Sequence, residues 1–289
     1  MSISREMPRI GSSASRPRRK FIPKEEPQVK LKLEGKKAIV TGGSKGIGYA
    51  TALELSRQGA KVALVARTKE ELEDAAARIV AETGGEVLAV PGDVSREESA
   101  AAAVRGIADR WDGVIDILVN NAGTAAAAPF AEVGPAAWKT DLDLKLLGAV
   151  HMTQAALPAL KAAGGGAIVN VTAIGGKTPP KASLPSSVSR AAGLALTKAM
   201  SRDLAPDGIR VNAVCIGLIR SAQIERQWRR TSPDQTWEEF ARDPRHDIPL
   251  GRIGDTEEAA NAIVFLVSGA ASYITGTAIN IDGGKSPVA

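Results

Sequence analysis

The residues whose types and spacing most directly suggest chemistry lie between Val40 and Gly48, where the chain reads VTGGSKGIG. A short β-branched run leads into this glycine-rich turn, and apolar residues at helical spacing follow it. Glycine permits positive φ angles and lets backbone N–H groups approach a ligand closely, while a helix N-terminus favours negative charge. Such a turn between a strand and a helix is typical of sites that hold the pyrophosphate of a dinucleotide.

A second set of polar residues consists of Lys145, Ser186 and Arg190. Ser186 and Arg190 are four residues apart in a segment with Ala and Leu at helical spacing, so they lie on one helix face. An amine, a hydroxyl and a guanidinium group could move a proton, attack a carbonyl group or hold an anion.

Composition limits the class of protein that carries these residues. Of the 289 residues 44% are hydrophobic and only 3% aromatic, so small aliphatic side chains must form the core. This length suits one large α/β domain. No apolar run of about 18 residues predicts a membrane span, and the single Cys215 excludes a disulfide framework. A reducing cytoplasmic location is therefore expected.

Charge is concentrated at the N-terminus. Residues 1–30 carry eight Lys or Arg and three Glu, a net charge of +5, whereas the rest of the chain carries 29 of each sign. This segment is rich in Ser and Pro and has no apolar period, which predicts a disordered basic arm. Charge runs are usually solvated, so we expect a solvated tail or a strap over a neighbouring subunit rather than a nucleic-acid contact.

The elements that must position the candidate residues alternate over residues 31–289. Seven short β-branched runs, from KKAIVTGG at residue 36 to TAINIDGG at residue 277, are separated by helical patterns. Right-handed crossovers between parallel strands then place helices on both faces of one sheet. The predicted fold is therefore α/β, a single-domain Rossmann-type doubly wound parallel sheet.

One segment, residues 220–250, breaks this alternation. It follows a predicted strand and holds Trp228, Trp237 and Phe240 among many charged residues. Ligands bind at the carboxyl edge of such sheets, where this segment must start. Because aromatic side chains on a solvated loop are unfavourable unless they cover something, we interpret the segment as a substrate lid rather than an ordinary surface insertion.

Four motifs in the expected order resemble the short-chain dehydrogenase/reductase family over residues 33–285. The first three are TGGSKGIG at Thr41–Gly48, GDV at Gly92–Val94 and NNAG at Asn120–Gly123, and the fourth consists of two late runs, APDGIRVNAVCIG and YITGTAINIDGG. The resemblance implies a dinucleotide-dependent oxidoreductase that acts on a small molecule and assembles as a homodimer or homotetramer.

The resemblance also implies a set of cofactor-binding residues and a cofactor preference. The set is Gly42, Ser44, Lys45, Gly46, Ile47, Gly48, Arg67, Thr68, Asp93, Val94, Asn120, Ala122, Gly123, Arg190, Gly217 and Ile219. The second strand ends without the acid that usually binds a free ribose 2′-hydroxyl. Lys45 and Arg67 place two cations there, which suit a 2′-phosphate and favour NADP(H) over NAD(H). The alternative is that both side chains extend into water.

The same resemblance implies a catalytic Asn, Ser, Tyr and Lys, and this chain departs from the pattern at all four positions. Lys145, Ala173, Ser186 and Arg190 stand there instead. The two tyrosines of the chain lie elsewhere, Tyr49 directly after the first motif and Tyr273 inside the last run, so no shift of the alignment restores the phenol. A serine hydroxyl is shorter and less acidic than a phenol, so we do not expect Ser186 to replace the Tyr as proton donor.

Lys145 is the candidate replacement donor. Next to the cation of Arg190 its pKa should fall, which would make it a usable acid or an amine nucleophile. The alternative is an ion pair with Asp141, one helical turn earlier. Arg190 cannot titrate, but it keeps a cation and several N–H donors for the cofactor ribose.

Three functions remain open. The one we favour is an NADP(H)-dependent oxidoreductase with a non-standard active site that acts on a carbonyl, imine or activated alkene. The second is a non-redox lyase, isomerase or cyclase that uses Lys145. The third is a catalytically silent NADP(H)-binding protein. The glycine turn favours the first and third, the aromatic segment favours the first and second, and no metal site is predicted.

Overall fold

The computed structural model describes residues 30–289, so the predicted basic arm lies outside the described residues except for Lys30. The strands are β1 (Lys37–Thr41), β2 (Lys61–Ala66), β3 (Val87–Pro91), β4 (Ile117–Asn120), β5 (Ala127–Ala128), β6 (Gly166–Ala173), β7 (Leu184–Pro185), β8 (Ile209–Ile216) and β9 (Ala278–Ile281).

Helices separate these strands. They are α1 (Gly46–Arg57), α2 (Lys69–Thr83), α3 (Glu97–Arg110), α4 (Pro135–Leu142), α5 (Gly148–Ala162), α6 (Ser186–Asp203), α7 (Ala222–Thr231), α8 (Trp237–Ala241) and α9 (Thr256–Val267), with a π-helical turn at Asp143–Leu147 joining α4 to α5. None of the helices within residues 30–289 has the length and apolar character that crossing a lipid bilayer requires.

Seven strands form one parallel sheet in the order β3-β2-β1-β4-β6-β8-β9. The direction of strand addition reverses between β1 and β4, which pair in parallel through Ala38–Ile117, Ile39–Leu118 and Val40–Val119. In a doubly wound sheet this reversal opens a crevice at the carboxyl ends of the two strands. The predicted fold class is confirmed, and the glycine turn after β1 lies at this crevice.

The alternation of side chains along each strand divides the core between the two faces of the sheet. Val40 packs with residues of α1, α2 and α9, including Leu55 and Ile263. Its neighbour Ile39 packs on the opposite face with residues of α3 and α5, including Met152. Both faces are therefore covered by helices, which explains why the strands are predominantly apolar on both faces.

The aromatic residues of the predicted lid pack on one another. The ring centroids of Trp228 and Trp237 are 5.7 Å apart, and those of Trp237 and Phe240 are 5.9 Å apart. Phe240 is only 1% exposed and forms a small separate core with Ala241 and Ile253. These aromatic side chains thus have partners inside the protein, so their presence alone does not require a substrate beneath them.

Candidate active site

The glycine turn forms an open cradle at the start of α1. Gly42 and Gly46 have φ angles of +64° and +59°, which favour glycine. A Cβ atom on Gly42 would lie 2.9 Å from the Asn121 side-chain nitrogen, whereas no atom of the described part of the chain lies within 4 Å of a Cβ on Gly46. Within residues 30–289 no side chain caps the N-terminus of α1, so its first backbone N–H groups are available to an anion.

Thr41 and Asn121 hold this turn against the end of β4. The Asn121 amide nitrogen Nδ2 donates to the backbone oxygens of Thr41 and Gly42 at 2.9 and 3.3 Å. The backbone N–H groups of Asn121 and Ala122 donate to Thr41 Oγ1 at 2.9 and 3.0 Å. Neither Thr41 nor Asn121 is among the predicted cofactor-binding residues, although both lie inside the motifs that define the site.

Asn120 is one of the predicted cofactor-binding residues, but its side chain makes hydrogen bonds to neighbouring elements of the fold. Its Nδ2 donates to Asn170 Oδ1 at 2.9 Å and to Thr153 Oγ1 at 3.3 Å. Its Oδ1 is buried without a protein hydrogen-bond partner among the described residues. The Asn120 side chain therefore links β4, β6 and α5 rather than facing the glycine turn.

The two cations predicted for the ribose 2′-phosphate have an acidic neighbour. Lys45 Nζ lies 3.1 and 3.3 Å from the two carboxylate oxygens of Glu71 on α2, and both side chains are largely exposed. Arg67 is also exposed. The end of β2 lacks an acid, but α2 returns past the turn and brings Glu71 to the place where sequence analysis expected cations alone.

Arg67 also acts on the GDV segment. Burial by itself would raise the pKa of Asp93, but hydrogen bonds from Ser95 and the charges of Arg67 and Arg96 lower it below the usual range. Asp93 Oδ1 accepts from the Ser95 backbone N–H at 3.0 Å and from its hydroxyl at 2.7 Å. Asp93 is therefore a charged residue that orders the loop after β3.

Lys145 lies in the π-helical turn and points into the protein. Its side chain is 1% exposed and that of Asp141 is 2% exposed. Lys145 Nζ donates hydrogen bonds to Asp141 Oδ1 and to Ser186 Oγ. Ser189 Oγ donates to the other carboxylate oxygen of Asp141 at 2.6 Å. π-helical turns occur frequently at functional sites, and this one directs the amine toward α6.

Lys145 shows both of the features that the sequence offered as alternatives, an ion pair with Asp141 and a lowered pKa. The ion pair with Asp141 is present, and the pKa of Lys145 is nevertheless lowered. Burial is the main cause of the lowering, the hydrogen bond to Asp141 opposes it, and the charge of Arg190 adds to it. The direction agrees with the sequence-based expectation, but burial rather than Arg190 is the principal cause.

Arg190 occupies the floor of the crevice. Its Nη1 donates to the backbone oxygen of Val171 at 2.7 Å. Its Nη2 lies beside Gly123, where a Cβ atom would come within 3.0 Å of it. Burial lowers the pKa of the Arg190 guanidinium group, although arginine stays charged in proteins. The large side chain thus fits because residue 123 is glycine.

Five of the predicted residues, Val94, Asn120, Ala122, Lys145 and Arg190, line one cavity. A cavity of about 20 Å³ lies between β4, β6 and α6. It is lined by residues of both candidate sets and their neighbours: Thr41, Val94, Asn120, Ala122, Leu144, Lys145, Gly148, Ala149, Asn170, Val171, Thr172, Ser189, Arg190, Gly193 and Leu196. The structure therefore places Lys145 and Arg190 on the same cavity as Thr41, the residue that precedes the glycine turn.

Some predicted cofactor-binding side chains lie elsewhere. Ile219 is 5% exposed, and its Cδ1 would be 2.7 Å from a Cβ on Gly254. Ile47 packs against the core below α1. The Gly217 N–H donates to the Ile281 backbone oxygen at 2.9 Å, so this group is already occupied. The side chains of Ile47 and Ile219 therefore have structural partners.

Comparisons with known proteins agree with the observed fold. Residues 42–286 match the family described as Enoyl-(Acyl carrier protein) reductase. The chain is 34% identical to the 3-oxoacyl-[acyl-carrier-protein] reductase FabG of Aquifex aeolicus (strain VF5), over 89% of this chain and 99% of that protein.

Solved structures agree with the sequence matches. L-Sorbose reductase from Gluconobacter frateurii, complexed with NADPH and L-sorbose, superposes with a TM-score of 0.86 at 32% identity, over 90% of this chain and 100% of that chain. An NADPH-bound short chain oxidoreductase from Pseudomonas aeruginosa PAO1, described as containing an atypical catalytic center, has a TM-score of 0.83 at 37% identity, over 88% and 98% of the two chains. With the glycine turn, the sheet order and these matches in agreement, the chain belongs to the short-chain dehydrogenase/reductase family of oxidoreductases.

Proposed function

We propose that this chain is an NADP(H)-dependent oxidoreductase in which Lys145 and Ser186 supply the proton that the family's Tyr and Lys usually supply. The observation that carries the proposal is the hydrogen bond to Ser186 Oγ from Nζ of Lys145, a residue that lines the cavity beside Arg190. The two residues are separated by 41 positions in the sequence, so only the fold brings them together.

The glycine turn fits a dinucleotide. Gly46 leaves open space over the uncapped start of α1, where a pyrophosphate would accept backbone hydrogen bonds. Lys45 and Arg67 would hold a 2′-phosphate, and the remaining donors of Arg190 would hold ribose hydroxyls at the other end. When bound in reduced form, such a cofactor supplies a hydride to the substrate.

The proton would come from the protein. Because Ser186 Oγ accepts a hydrogen bond from the Lys145 ammonium group, its own hydroxyl proton is free to donate to a substrate oxygen. As Ser186 gives up that proton, Lys145 can replace it and become neutral. Ser186 thus acts as a relay for Lys145, and the low acidity of an isolated serine is no longer an obstacle.

A small organic carbonyl compound is the substrate class that we propose. An open pocket of about 300 Å³ adjoins the site and is lined by Thr124, Ala126, Ala136, Ala137, Thr140 and Asp141. The Ala126 backbone N–H lies 3.4 Å from Ser186 Oγ, which links this pocket to the proton relay. Its small lining side chains suit a compact substrate, and residues 220–250 would close over the crevice as the proposed lid.

The relatives support this assignment over the two alternatives. The Gluconobacter frateurii protein binds NADPH and L-sorbose, a ketone sugar, and the Pseudomonas aeruginosa protein combines bound NADPH with an atypical catalytic center. These properties favour an active reductase over a non-redox enzyme or a silent binding protein. By the same family resemblance we propose a homodimer or homotetramer.

The function is tested by hydride transfer. Purified protein is mixed with NADPH or NADH and a panel of sugars, ketones, imines, enones and 3-oxoacyl thioesters, and the loss of reduced cofactor is recorded. Turnover of a carbonyl substrate with NADPH is the expected result. Tight NADPH binding without turnover of any panel member would instead support the silent binding protein.

Replacing Arg67 with Ala is expected to weaken NADPH binding by about tenfold or more, since a hydrogen bond between charged groups contributes about 1.5–3 kcal/mol. NADH binding should change little, because NADH has no 2′-phosphate. Fluorescence titration of both cofactors measures the effect, with the exposed Arg105→Ala on α3 as the control. Equal losses for NADPH and NADH would contradict a 2′-phosphate contact.

Replacing Glu71 with Gln is expected to strengthen NADPH binding. The change frees Lys45 and removes a negative charge that would repel the 2′-phosphate. Because exposed ion pairs contribute about 0.2–1 kcal/mol, the expected gain in affinity is about two- to fivefold. The control is Glu73→Gln, which alters an exposed pair with Lys69 on the same helix. Weaker NADPH binding in Glu71→Gln would show that Glu71 contributes to the cofactor site.

A further inference from the structure

We propose that Asp141 is a positioning residue for the proton relay, holding Lys145 against Ser186 and keeping the buried amine charged. The catalytic role of Asp141 rests on the proposed function, whereas its effect on the position and charge of Lys145 does not. Asp141 lines the proposed substrate pocket, but its two carboxylate oxygens are occupied by Lys145 and Ser189. It acts through Lys145.

Both oxygens of the Asp141 carboxylate are used. Oδ1 accepts from Lys145 Nζ, and Oδ2 accepts from Ser189 Oγ at 2.6 Å. Ser189 Oγ is also 3.0 Å from the backbone oxygen of Ser186, so it lies at the first turn of α6. One carboxylate therefore connects α4 to the helix that carries Ser186, and it fixes the distance between the amine and the hydroxyl.

The direction of the hydrogen bonds follows from this arrangement. An ammonium group can only donate and a carboxylate can only accept, so Lys145 must donate both to Asp141 and to Ser186. Ser186 is thereby left as an acceptor from Lys145 with a free proton of its own. Without Asp141, the flexible four-carbon chain of Lys145 would lose the contact that aims its amine.

The charges around Lys145 also depend on Asp141. The charged groups that face Lys145 within residues 30–289 are Asp141 from α4 and Arg190 from α6. Among these described residues Asp141 is the only anion of the buried cluster, and its side chain and that of Lys145 are at most 2% exposed. Water is therefore poorly placed to replace the carboxylate. Removing its charge would leave two cations together in the interior, and Lys145 is the one that can release its proton.

The test measures the pKa of Lys145 directly, without a substrate. Protein labelled with ¹³C in its lysine side chains is titrated by NMR, and the Lys145 signal is assigned by its loss in Lys145→Met. In Asp141→Asn we expect the pKa of Lys145 to fall by about one to three units, the usual effect of an opposite charge at this range. An unchanged pKa in the folded variant would overturn the proposal.

The matched control is Asp143→Asn. Asp143 lies two positions after Asp141 and forms a 2.6 Å ion pair with Lys139 on the exposed side of the helix. Its replacement should leave the pKa of Lys145 in place, because it does not contact the amine. An equal fall in both variants would show a general charge effect and overturn a specific role for Asp141.

Ser189→Ala keeps the test decisive if Asp141→Asn does not fold. It removes one hydrogen bond of Asp141 but keeps the charge, so we expect a smaller fall in the pKa of Lys145 in the same direction. A wild-type pKa in folded Ser189→Ala would contradict the proposed coupling through Asp141.

Turnover separates this inference from the proposed function. Reduction needs protonated Lys145, so activity is present below the pKa of Lys145 and is lost as pH rises through it. The alkaline loss of activity should move to lower pH in Asp141→Asn. If the NMR titration shifts as expected but no carbonyl substrate is turned over by the wild type, the proposed function fails while the role of Asp141 stands.

Discussion

Replacing Lys145 with Met is expected to lower kcat for carbonyl reduction by about 10²–10⁴-fold, the range for loss of a positioned acid–base group. Met has a similar length but no acidic proton, so Ser186 loses the group that would replace its proton. NADPH binding should change little, because the glycine turn and Arg190 remain. Single-turnover measurements with NADPH and the best substrate of the panel would give the rate of the chemical step.

Two further variants, Lys139→Met and Ser186→Ala, serve as comparisons for Lys145→Met. Lys139→Met removes an exposed lysine of the same helical segment and should leave the rate unchanged. Ser186→Ala should cost less than Lys145→Met, because a water molecule can take the place of a small hydroxyl between the amine and the substrate. A rate loss below about tenfold in Lys145→Met would contradict the role of Lys145, since acid–base groups contribute more than that.

Folding must be checked in the same series. Lys145→Met leaves the Asp141 carboxylate buried without its cation, and an unpaired buried charge costs about 3–5 kcal/mol. The double variant Asp141→Asn/Lys145→Met removes both charges and should be more stable than Lys145→Met alone. Catalytic loss that persists in the double variant then belongs to the proton relay and not to unfolding.

Replacing Gly48 with Ala is expected to abolish NADPH binding and to lower the stability of the whole domain. A Cβ atom there would lie 2.3 Å from the Gly42 backbone oxygen and 2.5 Å from Asn121 Nδ2. The first of these contacts is with backbone, which cannot rotate away, so α1 must move from the end of β1. Overpacking of this kind costs about 1–3 kcal/mol or more.

The control for this change is Gly106→Ala. Gly106 lies in α3, where a Cβ atom would have nothing within 4 Å, and a helix interior favours Ala over Gly by about 1 kcal/mol. Thermal unfolding should therefore show a lower Tm for Gly48→Ala and an equal or higher Tm for Gly106→Ala. A wild-type Tm with intact NADPH binding in Gly48→Ala would mean that the close approach of α1 to the turn is not required.

Much of the fold follows from local patterns. The β-branched runs and amphipathic helices between residues 31 and 289 predict a doubly wound sheet, and the sheet order confirms it. These signals are local because side chains alternate along a strand and repeat every few residues along a helix. The glycine turn is equally local, since its φ angles and its place between β1 and α1 depend on neighbouring residues.

The contacts that define the candidate site are not local. Glu71 meets Lys45 across 26 positions, and Ser189 meets Asp141 across 48. Neither pairing has a periodic signal, because each depends on how distant elements pack. The sequence therefore predicted two free cations near the ribose, and the state of Lys145 stayed open. The aromatic residues of 220–250 show the same limit, since the sequence did not reveal that they pack on one another.

The sequence by itself determined the fold class, the position of the glycine turn and the chemical identity of the groups available at residues 145, 186 and 190. Only the tertiary structure decided what those groups do to one another: it buries Lys145 beside Asp141 and directs its amine to Ser186. The physical reason is that local conformation depends on nearby residues, whereas the protonation and aim of a buried side chain depend on its dielectric surroundings and on charges from distant elements.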